Sequence, residues 1–174
     1  SEIVVGGYAV AAVNASSQED FVVAKLNADG SLDSGFGTGG VVATDIGGNK
    51  ADVATGMMVQ PDGRIVLVGG SGPTATADFA VVRYNTNGSL DTSFNLTGKA
   101  TTNFGASDQA NAVTLGAGNT IVVAGKSAQD VALARYTSAG ALDTSFNTTG
   151  ALFLYATITC LNSLALISWS LALI

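Results

Sequence analysis

Aspartates recur at one position of a repeated motif and are the first candidates for ligand chemistry in this chain. They end the segments Gly30-Ser31-Leu32-Asp33, Gly88-Ser89-Leu90-Asp91 and Gly140-Ala141-Leu142-Asp143. Such carboxylates could hold calcium or sugar hydroxyls, but calcium takes about six to eight oxygens and no segment has the alternating pattern of an EF-hand loop. Aspartate also accepts backbone N–H bonds in turns. We therefore favour a structural role in the turn before the phenylalanine that follows each one, at Phe36, Phe94 and Phe146.

Basic and aromatic side chains occupy a second repeated position. Lys25, Arg83 and Arg135 lie at the same place in their copies, and Tyr84 and Tyr136 follow the two arginines. The bases could surround an anionic ligand, and the tyrosines could stack on a sugar. The structural alternative is commoner: the bases contact the repeated carboxylates and the tyrosines belong to the core. The candidate ligand-binding residues are Asp33, Asp91, Asp143, Arg83, Arg135, Tyr84 and Tyr136.

Catalytic and cofactor chemistry finds little support in the composition. The 174 residues include no histidine, which removes the commonest general base and metal ligand. The single cysteine, Cys160, allows neither an internal disulfide nor a cysteine-based metal site. We predict that the chain is not an enzyme and binds no cofactor and no metal. A net charge of −6 without a basic stripe also argues against a nucleic-acid partner.

The elements that position these residues repeat along the chain. Asp20, Asp78 and Asp130 open copies of one apolar segment, 58 and then 52 residues apart, which indicates one supersecondary unit used repeatedly. Turn sequences such as Gln60-Pro61-Asp62-Gly63 separate short apolar runs within the unit. The strands predicted for the best-preserved copy are residues 53–60, 64–70, 78–85 and 99–104.

Four short strands in roughly 50 to 60 residues predict an all-β chain of tandem four-stranded repeats that are β-propeller-like blades. A β-trefoil and a β-solenoid are the alternatives, although trefoil units are usually shorter. We predict a single repeat domain over residues 1–174, with approximate units at 1–52, 53–108 and 109–160.

Several motifs of the chain resemble the delta-60 repeat family. They are residues 78–84 (Asp-Phe-Ala-Val-Val-Arg-Tyr), 88–94 (Gly-Ser-Leu-Asp-Thr-Ser-Phe) and 60–69, which contains Gln-Pro-Asp-Gly. The resemblance covers about residues 1–150, and the next copy departs from it with Gly116-Ala117-Gly118-Asn119 in place of Pro-Asp-Gly. It implies a β-propeller-like fold and a secreted or surface location in bacteria. The function of that family is unassigned, so the resemblance implies no active site.

Residues 151–174 form an atypical segment that carries no charge and is mostly apolar. It is long enough for a membrane span, but it contains polar residues and lacks flanking Lys or Arg anchors. It could instead pack in an oligomer interface. We favour strands that close the fold, because Asn162-Ser163-Leu164-Ala165-Leu166 aligns with Asn111-Ala112-Val113-Thr114-Leu115.

Three units are fewer than the four or more blades of known propellers, so we predict self-association into a ring or a filament. The predicted function is that of an extracellular, non-enzymatic structural or adhesive module, secreted or on a bacterial-type cell surface. The alternative is a carbohydrate-binding, lectin-like propeller with ligand sites between repeats. Expected partners are copies of the same chain and, for the alternative, glycans. Membrane contact through residues 151–174 is not favoured.

Overall fold

The structure is a computed structural model that describes residues 2–10, 18–48 and 50–154. These residues form three antiparallel sheets whose strands follow one another in chain order. The first sheet consists of β1 (Ile3–Val10), β2 (Glu19–Leu26) and β3 (Val41–Thr44). The second consists of β4 (Asp52–Val59), β5 (Ile65–Ser71), β6 (Asp78–Tyr84) and β7 (Lys99–Thr102). The third consists of β8 (Asp108–Leu115), β9 (Ile121–Ser127), β10 (Asp130–Tyr136) and β11 (Ala151–Leu154).

This architecture confirms the predicted fold class of tandem, antiparallel, blade-like repeats. In the second sheet the observed strands begin and end within two residues of the predicted ones. One turn of 3-10 helix at Ala117–Asn119 is the only helix in the described part of the chain. No helix among these residues is both long enough and apolar enough to cross a membrane.

Local turn chemistry closes the first hairpin of each complete repeat. Gln60 and Arg64 pair across the Pro61-Asp62-Gly63 turn, where Gly63 takes a φ of 83°. The third sheet replaces this turn with Ala117–Asn119, and the Gly116 N–H still donates to the carbonyl of Thr120 at 2.8 Å. The hairpin therefore survives the loss of Pro-Asp-Gly because another tight turn joins β8 to β9.

In the second and third sheets, a glycine allows the first two strands to approach closely at a β-bulge. The β4–β5 register shifts between Ala54 and Gly56, and the β8–β9 register shifts at the equivalent place. A Cβ on Gly69 would lie 2.0 Å from the carbonyl oxygen of Val53, and one on Gly125 would lie 2.0 Å from that of Gln109. Both positions exclude any side chain because backbone atoms occupy the space.

The core consists of two apolar clusters, one on each face of the second sheet. Ile65 and Leu67 pack toward the first sheet, whereas Val66 and Val68 pack toward the third. Every residue of β5 is buried, which explains its uninterrupted apolar sequence. Each such side chain contributes about 1.5–3 kcal/mol on burial, so stacking of the sheets is a main source of stability.

The outer faces of the first and third sheets are much less covered. Ile3 and Val5 of β1 are about half exposed. Val131 and Leu133 of β10 are half-buried, although they alternate with fully buried Ala132. The two end sheets therefore keep apolar side chains on faces that correspond to buried ones in the second sheet.

The first sheet has three strands in the described ranges, and β1 pairs with β2 as β5 pairs with β6 and β9 with β10. The counterpart of β4 and β8 is therefore not among the described strands of this sheet. Ala151–Leu154 at the start of the apolar segment forms the outer strand of the third sheet. The predicted closing strands of residues 155–174 lie outside the described residues, and so does Cys160.

Candidate functional site

The repeated aspartates lie in a loop that begins after the third strand of each sheet. We call residues 33–40, 91–98 and 143–150 the docking loops. Asp91 Oδ1 accepts the Ser93 N–H at 3.0 Å and the Ser93 hydroxyl at 2.6 Å, while Oδ2 lies 2.7 Å from Arg83 Nε. Burial raises the pKa of Asp91, but the Ser93 hydrogen bonds and the Arg83 charge outweigh it and hold the pKa below its usual value. The carboxylate is therefore engaged on both oxygens.

The third sheet repeats this arrangement, and the first sheet has a simpler version. Asp143 accepts the Ser145 N–H at 3.1 Å and lies 2.8 Å from Arg135 Nε. The Ser145 hydrogen bonds, with Arg135, lower the pKa of Asp143. Asp33 accepts the N–H of Gly35 at 2.9 Å and lies 3.3 Å from Lys25 Nζ. All three aspartates thus take the turn position, with the repeated base beside each.

Tyr84 and Tyr136 are packed inside the protein. The Tyr84 hydroxyl donates to Thr44 Oγ1 at 2.8 Å, and the Tyr136 hydroxyl lies 2.7 Å from Thr102 Oγ1. Burial raises the pKa of each phenol to about 12. Each tyrosine crosses to the preceding sheet, and neither presents a free ring face on which a sugar could stack.

Each docking loop receives a tight turn from the following sheet. We call residues 27–30, 85–88 and 137–140 the docking turns. The N–H of Gly37 donates to the carbonyl of Asn87 at 2.8 Å, and the N–H of Asn95 donates to that of Ala139 at 2.7 Å. Arg83 Nη1 adds a 2.8 Å bond to the carbonyl of Ser138. The same loop–turn contact therefore joins the first sheet to the second and the second to the third.

Glycine is required in the docking turns because the turn touches the loop. Gly88 has a φ of 86°, and a Cβ there would lie 2.9 Å from Gly37 N. Gly140 has a φ of 87°, and its Cβ would lie 2.6 Å from Asn95 N. Gly30 has the same backbone conformation, yet a Cβ there would meet nothing within 4 Å. The first docking turn is thus formed, but no described residue lies against Gly30.

The repeated segments 2–36, 60–94 and 119–146 match the model of a family described as "Domain of unknown function (DUF5122) beta-propeller", and together they make up more than half of the chain. The chain belongs to the DUF5122 β-propeller family. Each matched segment ends at the docking-loop phenylalanine: Phe36, Phe94 or Phe146. The search of curated proteins found no match for this DUF5122 chain. The family description specifies an architecture and no activity.

The last docking loop of this DUF5122 chain is open. Phe36 and Phe94 are fully buried, whereas Phe146 is only partly buried. The Arg83 side chain is 4% exposed, and the equivalent Arg135 side chain is 28% exposed. Both guanidinium groups lie over their own phenylalanine rings, so the loops have the same internal structure. The difference arises because no docking turn from the described residues covers the third loop.

A polar cavity of about 190 Å³ lies where the second and third sheets meet. Its lining includes Arg64, Arg83, Gln60 and Ser138. Arg64 Nε lies 3.1 Å from Asp91 Oδ2, and Gln60 Oε1 is buried without a hydrogen-bond partner among the described groups. Among the sequence candidates, Arg83 lines this cavity and is paired with Asp91. Gln60 and Arg64 are cavity-lining residues that sequence reasoning missed, because Gln60-Pro61-Asp62-Gly63 indicates only a turn.

A second polar group, which sequence reasoning also missed, lies between the first and second sheets. Asp20, Asp45 and Asp52 place carboxylate oxygens within 4.8 Å of one another, close enough to share a metal ion. Burial, followed by repulsion from Asp45 and Asp52, raises the pKa of Asp20. Burial also raises the pKa of Asp52. The recurrence of Asp20 and Asp78 at the start of their strands was the available signal, but it did not reveal their neighbours.

Proposed function

We propose that the chain is a non-enzymatic structural module of the extracellular space that joins copies of itself head to tail. The observation that carries this proposal is the pairing of an open docking loop at one end with an open docking turn at the other. Phe146 and Arg135 form part of the open loop, and residues 27–30 form the open turn. The two internal junctions supply the template for their union.

The template assigns contacts to the interface. By repeat position, Asn147 corresponds to Gly37 and Asn95, and Asp29 corresponds to Asn87 and Ala139. The Asn147 N–H of one copy would donate to the carbonyl of Asp29 in the next, as Asn95 does to Ala139 within the chain. Arg135 Nη1 would donate to the carbonyl of Ala28, as Arg83 does to that of Ser138.

The apolar end faces complement this polar contact. Val131 and Leu133 of one copy would pack against Ile3 and Val5 of another, as the second sheet packs on both of its neighbours. If two chains make this head-to-tail contact at both of their ends, their three sheets each form a closed ring of six blades. Six is within the usual range for a propeller. A head-to-tail contact whose rotation does not close would give a filament instead.

Light scattering with variants of the docking turn tests self-association. We expect the wild-type chain to form dimers or larger species at micromolar concentrations. Gly30→Asn keeps a residue that tolerates positive φ but adds a side chain that would collide with the loop of the next copy, so we expect a monomer. Gly118→Asn is the control, because Gly118 also has a positive φ and nothing within 4 Å. Wild-type protein that stays monomeric would contradict the proposal.

The extracellular assignment rests on composition and on the resemblance of the motifs to delta-60 repeats. Charged residues make up only 11% of the chain, and the surface is poor in lysine. Protease treatment of intact producing cells tests it. Degradation of the protein without cell lysis is expected, and complete protection in intact cells together with absence from the medium would argue against this location.

A carbohydrate-binding role is the second candidate, and the polar cavity between the second and third sheets favours it. The unpaired Gln60 Oε1 offers an acceptor, and the partly exposed Arg64 guanidinium offers donors, for sugar hydroxyls or a sugar carboxylate. A glycan array probes this role directly. Saturable binding that Gln60→Ala abolishes and Gln18→Ala retains would support it, since Gln18 is not among the cavity residues. Absence of any binding would reject it.

A further inference from the structure

Three aspartates meet at the junction of the first and second sheets, and we call them the junction acids. Asp20 is the second residue of β2, Asp45 follows the end of β3, and Asp52 is the first residue of β4. One oxygen from each lies within 4.8 Å of the other two. The two sheets thus bring three carboxylates close together, although the residues are far apart in the sequence.

Asp52 supplies an unsatisfied oxygen to this cluster. Its side chain is fully buried, and Oδ2 accepts the N–H of Ile46 at 2.6 Å. Oδ1 is buried and has no hydrogen-bond partner among the described groups. The Ser71 hydroxyl and the Gly47 N–H approach the carboxyl and oppose the rise in its pKa that burial causes, but neither makes a hydrogen bond of normal geometry to Oδ1. A buried, unpaired carboxylate oxygen is costly unless a cation or proton meets it.

The neighbouring positive charge is insufficient for three carboxylates. Lys99 Nζ donates to the backbone carbonyl of Asp45 at 2.5 Å, and its charge acts on Asp20. The pKa of Asp20 is nevertheless raised, because burial and the charges of Asp45 and Asp52 outweigh the effect of Lys99. Asp45 is only partly buried, so an ion from solvent can reach the cluster on that side.

The second junction repeats the geometry with one charge fewer. Asp78, Asn103 and Asp108 correspond to the junction acids by repeat position. Asp108 Oδ2 accepts the Phe104 N–H at 2.7 Å, as Asp52 does from Ile46. Oδ1 of both Asp78 and Asp108 is buried and unpaired among the described residues. The unpaired oxygen is therefore a property of the repeat, and Asp45 distinguishes the first junction.

We propose that the junction acids bind one calcium ion that links the first sheet to the second. Calcium prefers hard oxygen ligands and accepts irregular sites completed by water. The ion would pair with Asp52 Oδ1 and relieve the repulsion among the carboxylates. Magnesium is disfavoured because it requires a compact octahedron and gives up its water reluctantly.

Calorimetric titration of the full chain with calcium chloride, after removal of metals with a chelator, tests this proposal. We expect one calcium per chain and weaker binding of magnesium. Calcium at about one hundred times its dissociation constant should raise Tm by roughly 5 °C or more, because the ion binds the folded state. Absence of both binding and a Tm shift would overturn the proposal, as would magnesium binding as tight as that of calcium.

Matched variants locate the ion. Asp45→Asn removes one charge and introduces the residue that the second junction already carries, so the fold should tolerate it. We expect this variant to bind calcium at least about tenfold more weakly, because ligand charge sets affinity. Asp52→Asn should abolish binding. Glu2→Gln removes an exposed charge at the other end of the first sheet and should bind as the wild type does. Should Asp52→Asn fail to fold, Asp45→Asn decides, and wild-type affinity in that variant would overturn the site.

Discussion

Replacement of Arg83 by methionine gives a quantitative test of how the docking loops are held together. Methionine keeps the length of the apolar stem but removes bonds to Asp91 at 2.7 Å, the Ser138 carbonyl at 2.8 Å and Ser93 Oγ at 3.2 Å. Breaking one partner of a buried ion pair costs about 3–5 kcal/mol. Arg64 Nε remains 3.1 Å from Asp91, so we expect the lower value, about 3 kcal/mol, and a Tm lower by roughly 6–12 °C.

The chain contains its own control for this substitution. Arg135→Met removes the same bonds to Asp143 and Ser145, but the Arg135 side chain is partly exposed and no described turn lies over it. Its loss of stability in dilute solution should be clearly smaller. Urea unfolding followed by circular dichroism measures both variants. Equal losses for the two arginines, or a loss below about 1 kcal/mol for Arg83→Met, would refute the argument that burial at the junction makes this ion pair important.

Three further outcomes follow from particular contacts. The pKa of about 12 for Tyr84 and Tyr136 lies above the usual value of about 10. The contribution of each tyrosine to stability is therefore complete below pH 10 and is lost as the pH rises toward 12, by roughly 3 kcal/mol at most. Phenolate absorbance near pH 10 from both residues in folded protein would disagree. Gly69→Ala should prevent normal folding, because its Cβ would meet the Val53 carbonyl. Gly7→Ala should leave Tm nearly unchanged, because its Cβ would meet nothing within 4 Å. Thermal melts of both variants check this contrast. Phe94→Ala should cost about 3–5 kcal/mol and Phe146→Ala less, because only Phe94 is fully buried; urea unfolding that ranks them in the opposite order would count against the open third loop.

Much of the fold could be predicted from the sequence because local signals repeat. Gly63 and the asparagine–glycine pair at Gly88 specify turns, and the apolar run of β5 requires cover on both faces. These signals act between residues close in the sequence, so they indicate strands and hairpins directly. The turn position of Asp33, Asp91 and Asp143 is accessible for the same reason, since each accepts an N–H two residues later.

Contacts between residues that are far apart in the sequence could not be predicted in this way. The meeting of Asp20 with Asp45 and Asp52 depends on how two sheets stack. The approach of Arg64 to Asp91 likewise depends on how a hairpin turn lies over the loop of its own sheet. No local motif encodes these distances. The core position of Tyr84 is expected from the sequence, but the partner of its hydroxyl, Thr44, belongs to another sheet and has no local signal.

Mixing two differently blocked variants tests head-to-tail association most directly. Gly30→Asn blocks the docking turn, and Phe146→Ser weakens the docking loop. Each variant alone should sediment as a monomer of about 17.3 kDa. An equimolar mixture should form heterodimers, because the intact turn of the Phe146→Ser chain can still occupy the intact loop of the Gly30→Asn chain. A mixture that remains monomeric, while wild-type protein associates and both variants are folded, would contradict the head-to-tail interface.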